Sequence, residues 1–198
     1  MVTLAIQAGG QSSRMGLDKG LVELGGRPLV WHVLSRLADL ADDHLITTNA
    51  PESYIPLGVR TVSDEAPGRG PLTGLATALS SAKGDPVLVV ACDLPFVEPA
   101  LAAGLLARAE GQQAVVPFRN GQPEPMLAVY RRSCLPAIRR LVDEGEQRVS
   151  SFYRYIELRR VDDPELSELD PAGRSFFNVN TPDDLAQAER ILAELSES

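Results

Sequence analysis

Lysine is nearly absent from this chain: among its 198 residues only Lys19 and Lys83 carry an ammonium group, so almost all positive charge is arginine. Lysine and arginine together number 19 against 27 aspartates and glutamates, a formal net charge of −8. That balance excludes broad binding to nucleic acid or to acidic membrane surfaces, and an anionic substrate therefore requires a locally positive site. Cysteine is equally scarce. Cys92 and Cys134 cannot form a disulfide framework, and Cys92, at the end of an apolar run, is expected to be buried. No apolar stretch approaches membrane-spanning length, and the first residues lack the charged-then-apolar pattern of a targeting segment. A cytoplasmic protein with no membrane partner is the expectation. Hydrophobic residues make up 44% and charged residues 23%, as in an ordinary globular protein, and the length suits one domain over residues 1–198.

Apolar runs and helical patterns alternate along the chain. Residues 2–7, 44–48, 59–62 and 114–118 read as strands, 126–130 as extended, and 86–92 (PVLVVAC) as a central strand buried on both faces. Helices are expected over 28–40, with Pro28 in the first turn, and over 71–83, 99–109 and 134–143. The last helix carries its own start signal: Thr181 as N-cap, Pro182 at the first position and Asp184 completing a capping box. Strand–helix alternation of this kind predicts an α/β fold of three layers, a mainly parallel sheet with helices on both faces, and ligand binding at the carboxyl ends of its strands.

One stretch stands at such an end. Residues 8–16 read AGGQSSRMG, followed by Lys19. Glycines let backbone N–H groups crowd an oxygen-rich ligand, Arg14 can fork onto phosphate oxygens, and Lys19 can add a point charge. A tight turn with two solvated cations is the plainer alternative. The glycines at 9, 10 and 16 match neither G-x-x-x-x-G-K-[ST] nor G-x-G-x-x-G, which argues against a P-loop and against a dinucleotide-dependent oxidoreductase.

AGGQSSRMGLDKG resembles the signature of the molybdenum cofactor guanylyltransferase family, and further similar motifs follow in family order: SDEAPGRGPLTGLATAL (63–79), ACDLPFV (91–97), EPMLAVY (124–130), GEQRVSSF (145–152) and FNVNTPDDL (177–185). The resemblance spans nearly the whole chain. It implies a fold of the nucleotide-diphospho-sugar transferase type and an enzyme that transfers GMP from GTP to molybdenum-molybdopterin, with Mg²⁺ as cofactor and pyrophosphate as co-product. Partner enzymes that supply the molybdopterin and accept the finished cofactor are implied with it. The double glycine and the closing NVNTP separate it from relatives that use CTP on the same cofactor. One departure is Gln7, where the family usually has leucine, beside the expected purine site.

Asp93 ends the apolar strand, where a carboxylate either ligates Mg²⁺ or begins the turn before Pro95. The resemblance makes it the metal ligand and, with Arg14 and Lys19, a catalytic residue. By the same resemblance Gln7, Ala8, Gly9, Gly10, Lys19, Asn49, Asp64, Gly70 and Asp93 bind nucleotide, whereas Arg148, Asn178 and Asn180 meet the acceptor. Each has a structural alternative: Asp64 as a loop aspartate, Gly70 and Gly74 as close helix packing, Asn178 and Asn180 as preparation for the Thr181 cap, Arg148 as a solvated helix arginine. His32 and His44 lack metal-ligand spacing, and His32 is expected to be satisfied in or beside the core. No Ser-His-Asp or Cys-His pairing can be assembled, so covalent catalysis is not expected. Transfer from CTP, a different phosphorylated acceptor, and a non-catalytic nucleotide-binding homologue are the alternatives.

Overall fold

The computed structural model describes residues 1–8, 18–64 and 70–196. Its strands are β1 (Thr3–Gln7), β2 (Glu23–Leu24), β3 (Arg27–Pro28), β4 (Asp43–Thr47), β5 (Arg60–Val62), β6 (Val87–Ala91), β7 (Ala114–Arg119), β8 (Gln122–Pro123), β9 (Leu127–Tyr130) and β10 (Leu158–Asp162). Six α-helices are described: α1 (Leu29–Leu37), α2 (Pro71–Ser81), α3 (Pro99–Ala107), α4 (Leu135–Asp143), α5 (Asp163–Leu169) and α6 (Pro182–Ser196).

Eight strands form one sheet in the order β10-β7-β9-β6-β1-β4-β5, with β8 on β7. β1 runs parallel to β4 and β6, β4 to β5, and β10 to β7; β9 alone in the main path is antiparallel to both neighbours. The mainly parallel α/β architecture expected from the sequence is therefore present. Side chains alternate between the two faces with the period of two that a strand imposes. Leu4, Ile6, Ile46, Leu88 and Val90 pack with Val33 of α1, Leu101 of α3 and Leu166 of α5. Ala5, Leu45, Val87 and Val89 pack on the opposite face with Leu75 of α2 and Ile138 of α4. From Val87 to Val90 the central strand is fully buried.

Two expectations shift at the edges. The first helix ends at Leu37, and Ala38–Leu40 tightens into a 3-10 turn. Pro28 stands before that helix in an extended conformation (φ −58°, ψ 146°), because it pairs with Glu23 in the β2–β3 hairpin. The capping box at the last helix is present: Asp184 N–H donates to Thr181 Oγ1 at 3.1 Å, and Thr181 N–H to Asp184 Oδ2 at 2.8 Å. α6 lies outside the sheet layers and closes a separate apolar cluster, Ala188 packing with Leu24, Leu29, Phe96 and Val179.

Candidate active site

Three parallel strands end level with one another. Gln7 of β1 lies opposite Thr47 of β4 on one side and Ala91 of β6 on the other. Two backbone bonds carry that alignment past the strand ends: Ala8 N–H to Thr47 O at 2.8 Å, and Cys92 N–H to Gln7 O at 3.0 Å. Thr48, Ala8 and Asp93 therefore emerge at one edge, the carboxyl edge where open α/β sheets bind ligands.

At the β6 side of that edge is a charged cluster. Lys19 Nζ bonds both the Asp93 carboxylate and the Asn180 side-chain oxygen. With its amide nitrogen turned toward Asp93, Asn178 lies 3.2 and 3.3 Å from the two carboxylate oxygens. Asp93 is only 9% exposed, so its charge is partly desolvated and requires these partners. Val179 holds the asparagines in place. Its N–H donates to the Asp93 carbonyl at 3.0 Å and its side chain is buried under α6, so Asn178 faces the carboxylate and Asn180 the Lys19 ammonium while Val179 faces the core.

The described residues suit a magnesium ion that also binds phosphate. Mg²⁺ commonly takes one or two carboxylates and completes its octahedron with water and phosphate oxygens. Asp93 Oδ2 and Asn180 Oδ1 already converge on one cation, the Lys19 ammonium. No group of three or more His, Cys, Asp or Glu side chains suitable for an all-protein metal cage occurs among the described residues.

On the β4 side the edge is mostly uncharged, with Asp64 its one acidic side chain among the described lining residues. A hollow of about 30 Å³ is lined by Gln7, Thr47, Thr48, Asp64, Gly70 and Gly74, room for an exocyclic group and not for a whole ring system. Gln7 Nε2 is buried there with no hydrogen-bond partner among the described residues. Asp64 accepts a hydrogen bond from Thr77 Oγ1 at 3.0 Å. Both glycines serve close packing: a Cβ on Gly74 would sit 3.2 Å from Gln7 Oε1, and one on Gly70 would meet Gln147 Cβ at 2.8 Å. Asn49 follows Thr48 with an exposed side chain and does not line the hollow. Gly9, Gly10 and Arg14 lie outside the described residues.

Arg148 is exposed and precedes a 3-10 helix, Val149–Tyr155. It borders a second, wider cleft of about 500 Å³ whose other walls include Pro71, Pro123, Pro125, Met126 and Ser150. Pro71, beside Gly70, lines both spaces, so hollow and cleft adjoin.

The remaining reactive side chains are structural. Both cysteines are free and buried. Burial above all pushes the Cys92 thiol far above its ordinary value, and pushes Cys134 up to about 12, so neither supplies a thiolate. His32 Nε2 lies 2.8 Å from the Leu24 carbonyl and His44 Nε2 3.0 Å from the Ala38 carbonyl.

Residues 4–162 match the MobA-like NTP transferase domain family. This chain belongs to that family. A relative from Pelotomaculum thermopropionicum, named probable molybdenum cofactor guanylyltransferase, is 37% identical over 194 residues, 98% of this chain and 94% of the relative. The molybdenum cofactor guanylyltransferase of Desulfosudis oleivorans is 33% identical, covering 96% of each. Among solved structures, molybdopterin-guanine dinucleotide biosynthesis protein A from Archaeoglobus fulgidus superposes with a TM-score of 0.84 at 28% identity, over 97% of this chain and 99% of the other. As a member of the MobA-like family the chain is a nucleotidyltransferase.

Sequence reasoning overlooked four residues at this edge. Thr47 and Thr48 were hidden inside a strand pattern, as buried threonines are. Asp18 and Tyr54 contact each other across 36 residues, and no local spacing announces such a pair.

Proposed function

We propose that the chain transfers GMP from GTP to the terminal phosphate of molybdenum-molybdopterin. A new bond forms between an acceptor phosphate oxygen and the α-phosphorus of GTP, the bond from that phosphorus to the β-phosphate bridging oxygen breaks, and pyrophosphate leaves. The observation that carries this reading is the convergence of Lys19, Asp93, Asn178 and Asn180 at the ends of parallel strands, in a chain related over its length to named guanylyltransferases.

Two anions must approach each other, so the barrier is one of charge and alignment, and an ionised phosphate needs no strong base to act as nucleophile. Lys19 takes up charge on the departing pyrophosphate, a task that the family resemblance also gives to Arg14 and to the N–H groups around Ala8, Gly9 and Gly10. Asp93 would hold Mg²⁺ with help from Asn178 or Asn180; when bound, the ion neutralises phosphate oxygens. Gln7 presents an adjacent donor and acceptor to the hydrogen-bonding edge of the base, and its buried nitrogen, without a partner among the described residues, supports that role. Gly70 brings backbone to the same place and Asp64 borders it, whereas Asn49, one residue beyond Thr48, would meet the nucleotide outside the hollow. Arg148, with Asn178 and Asn180, meets the anionic acceptor, and the wider cleft beside Arg148 has room for a ring system. Enzymes that make molybdopterin, and those that use the dinucleotide, are the partners this reaction requires, and a cytoplasmic location suits it.

Purified protein with GTP, Mg²⁺ and molybdenum-loaded molybdopterin should yield the guanine dinucleotide and pyrophosphate, and EDTA should abolish turnover. Product from CTP at a higher rate than from GTP, or none from any triphosphate, would overturn the proposal.

A further inference from the structure

Lys19 reaches Asp93 and Asn180 from a short 3-10 turn, Lys19–Leu21, and a single-turn helix does not hold itself. What fixes it is Asp18. Asp18 Oδ1 accepts the Gly20 N–H at 3.1 Å, capping the turn, and the same oxygen accepts the Tyr54 hydroxyl at 2.5 Å. Tyr54 comes from a distant segment, Pro51–Leu57, and its side chain is fully buried against Ala8 and Cys92. Gly20 is the residue that lets the hydroxyl in: a Cβ there would stand 2.5 Å from Tyr54 Oη and 3.3 Å from Ala8 Cβ. On the far side of Lys19, Leu21 N–H bonds the Asp18 carbonyl and Val22 N–H bonds the Lys19 carbonyl.

A buried tyrosine needs a hydrogen-bond acceptor, and a backbone carbonyl would satisfy it without desolvating a charge. The partner here is instead the carboxylate that caps the turn carrying Lys19. We propose that Tyr54 and Asp18 are positioning residues for Lys19, a clamp from the core that aims its ammonium group at the phosphate site. The consequence for turnover rests on the function proposed above, whereas the placement of Lys19 does not. Displacing a reacting contact by about 1 Å can cost up to ~100-fold in rate, so a clamp remote from the phosphates can matter.

The lysine count supplies an internal reference. Lys83 is the chain's only other lysine and is exposed, so competitive acetylation with acetic anhydride, read by mass spectrometry, reports Lys19 reactivity relative to Lys83. An ammonium held in two hydrogen bonds labels slowly. Tyr54→Phe keeps the ring and removes the hydroxyl. It should raise the Lys19:Lys83 ratio several-fold and lower kcat about tenfold, the scale of one charge-assisted bond, with acceptor KM and Tm near wild type. Asp18→Asn retains an acceptor oxygen and should stay near wild type in both readouts. Asp18→Ala should match Tyr54→Phe, and combining the two should add nothing further. An unchanged labelling ratio in folded Tyr54→Phe protein, or additive effects in the double variant, overturns the clamp. If Asp18→Ala does not fold, Tyr54→Phe and Asp18→Asn decide the question. A wild-type protein inactive with GTP would defeat the proposed reaction and leave the labelling experiment in force.

Discussion

Lys19 Nζ and the Asp93 carboxylate meet across 74 residues of chain, their side chains only 18% and 12% exposed. Each is the other's neutralising partner, and each is assigned a different part of the substrate in the proposed reaction. Lys19→Met and Asp93→Asn should each lower turnover by on the order of a hundredfold or more, the loss typical of one preorganised electrostatic contact. Stability should follow a different pattern. A single substitution leaves the opposite charge partly buried and unpaired, so Lys19→Met should lower the denaturation midpoint more than the Lys19→Met/Asp93→Asn double variant does.

Gln7 gives the opposite sign. Its Nε2 is buried without a partner among the described residues, a cost of about 1–3 kcal/mol for a donor left unmet. Gln7→Leu keeps the volume and removes the orphaned donor. Urea denaturation should show the variant more stable than wild type, while KM for GTP rises. Stability gained with KM unchanged would remove Gln7 from the base site.

Gly70 opens α2 with φ 86° and ψ 176°, a region that essentially only glycine occupies. Gly70→Ala also drives a Cβ to within 2.8 Å of Gln147 Cβ. The expected loss is about 1–3 kcal/mol of stability from the backbone alone, measured by denaturant titration. KM for GTP should rise as the helix start withdraws from the hollow.

Asp43 contributes to acid sensitivity. Burial pushes its carboxyl upward, but the Lys83 N–H, the Thr3 hydroxyl and the Arg60 guanidinium together outweigh burial and hold it below the ordinary 3.8. Arg60 Nη2 donates to both of its oxygens, at 3.1 and 2.9 Å. A carboxylate lowered on folding binds fewer protons than in the unfolded chain, so its contribution is complete above 3.8 and is lost as pH falls through the lower folded value. Midpoint against pH should fall at the acid end in wild type, and Asp43→Asn should flatten that fall while lowering stability at neutral pH.

Much of this protein was legible in one dimension. β6, fully buried from Val87 to Val90, announced itself by an unbroken apolar run, and the final helix by a capping box whose two bonds are local. Both signals arise between residues close in sequence, where chain geometry alone sets who meets whom. β10 was not legible: it lies at the sheet edge, pairs among the described residues with β7 alone, and carries Arg159 and Arg160 in place of an apolar repeat. The antiparallel insertion of β9 between β6 and β7 was equally silent, since direction within a sheet leaves no mark on side-chain periodicity.

The site divides in the same way. The sequence by itself determined the nucleotidyltransferase family, through motifs that resemble that family's, and it singled out Lys19 and the strand-ending Asp93 as candidates because a phosphate site calls for a cation and a metal-binding carboxylate. Only the tertiary structure decided that Asn178 meets the Asp93 carboxylate while Asn180 accepts from the Lys19 ammonium bound to it, that Gln7 has a donor without a partner among the described residues beside Gly74, and that Tyr54 reaches Asp18. Those contacts join segments far apart in the chain, and such pairings are set by how strands order and helices pack in three dimensions.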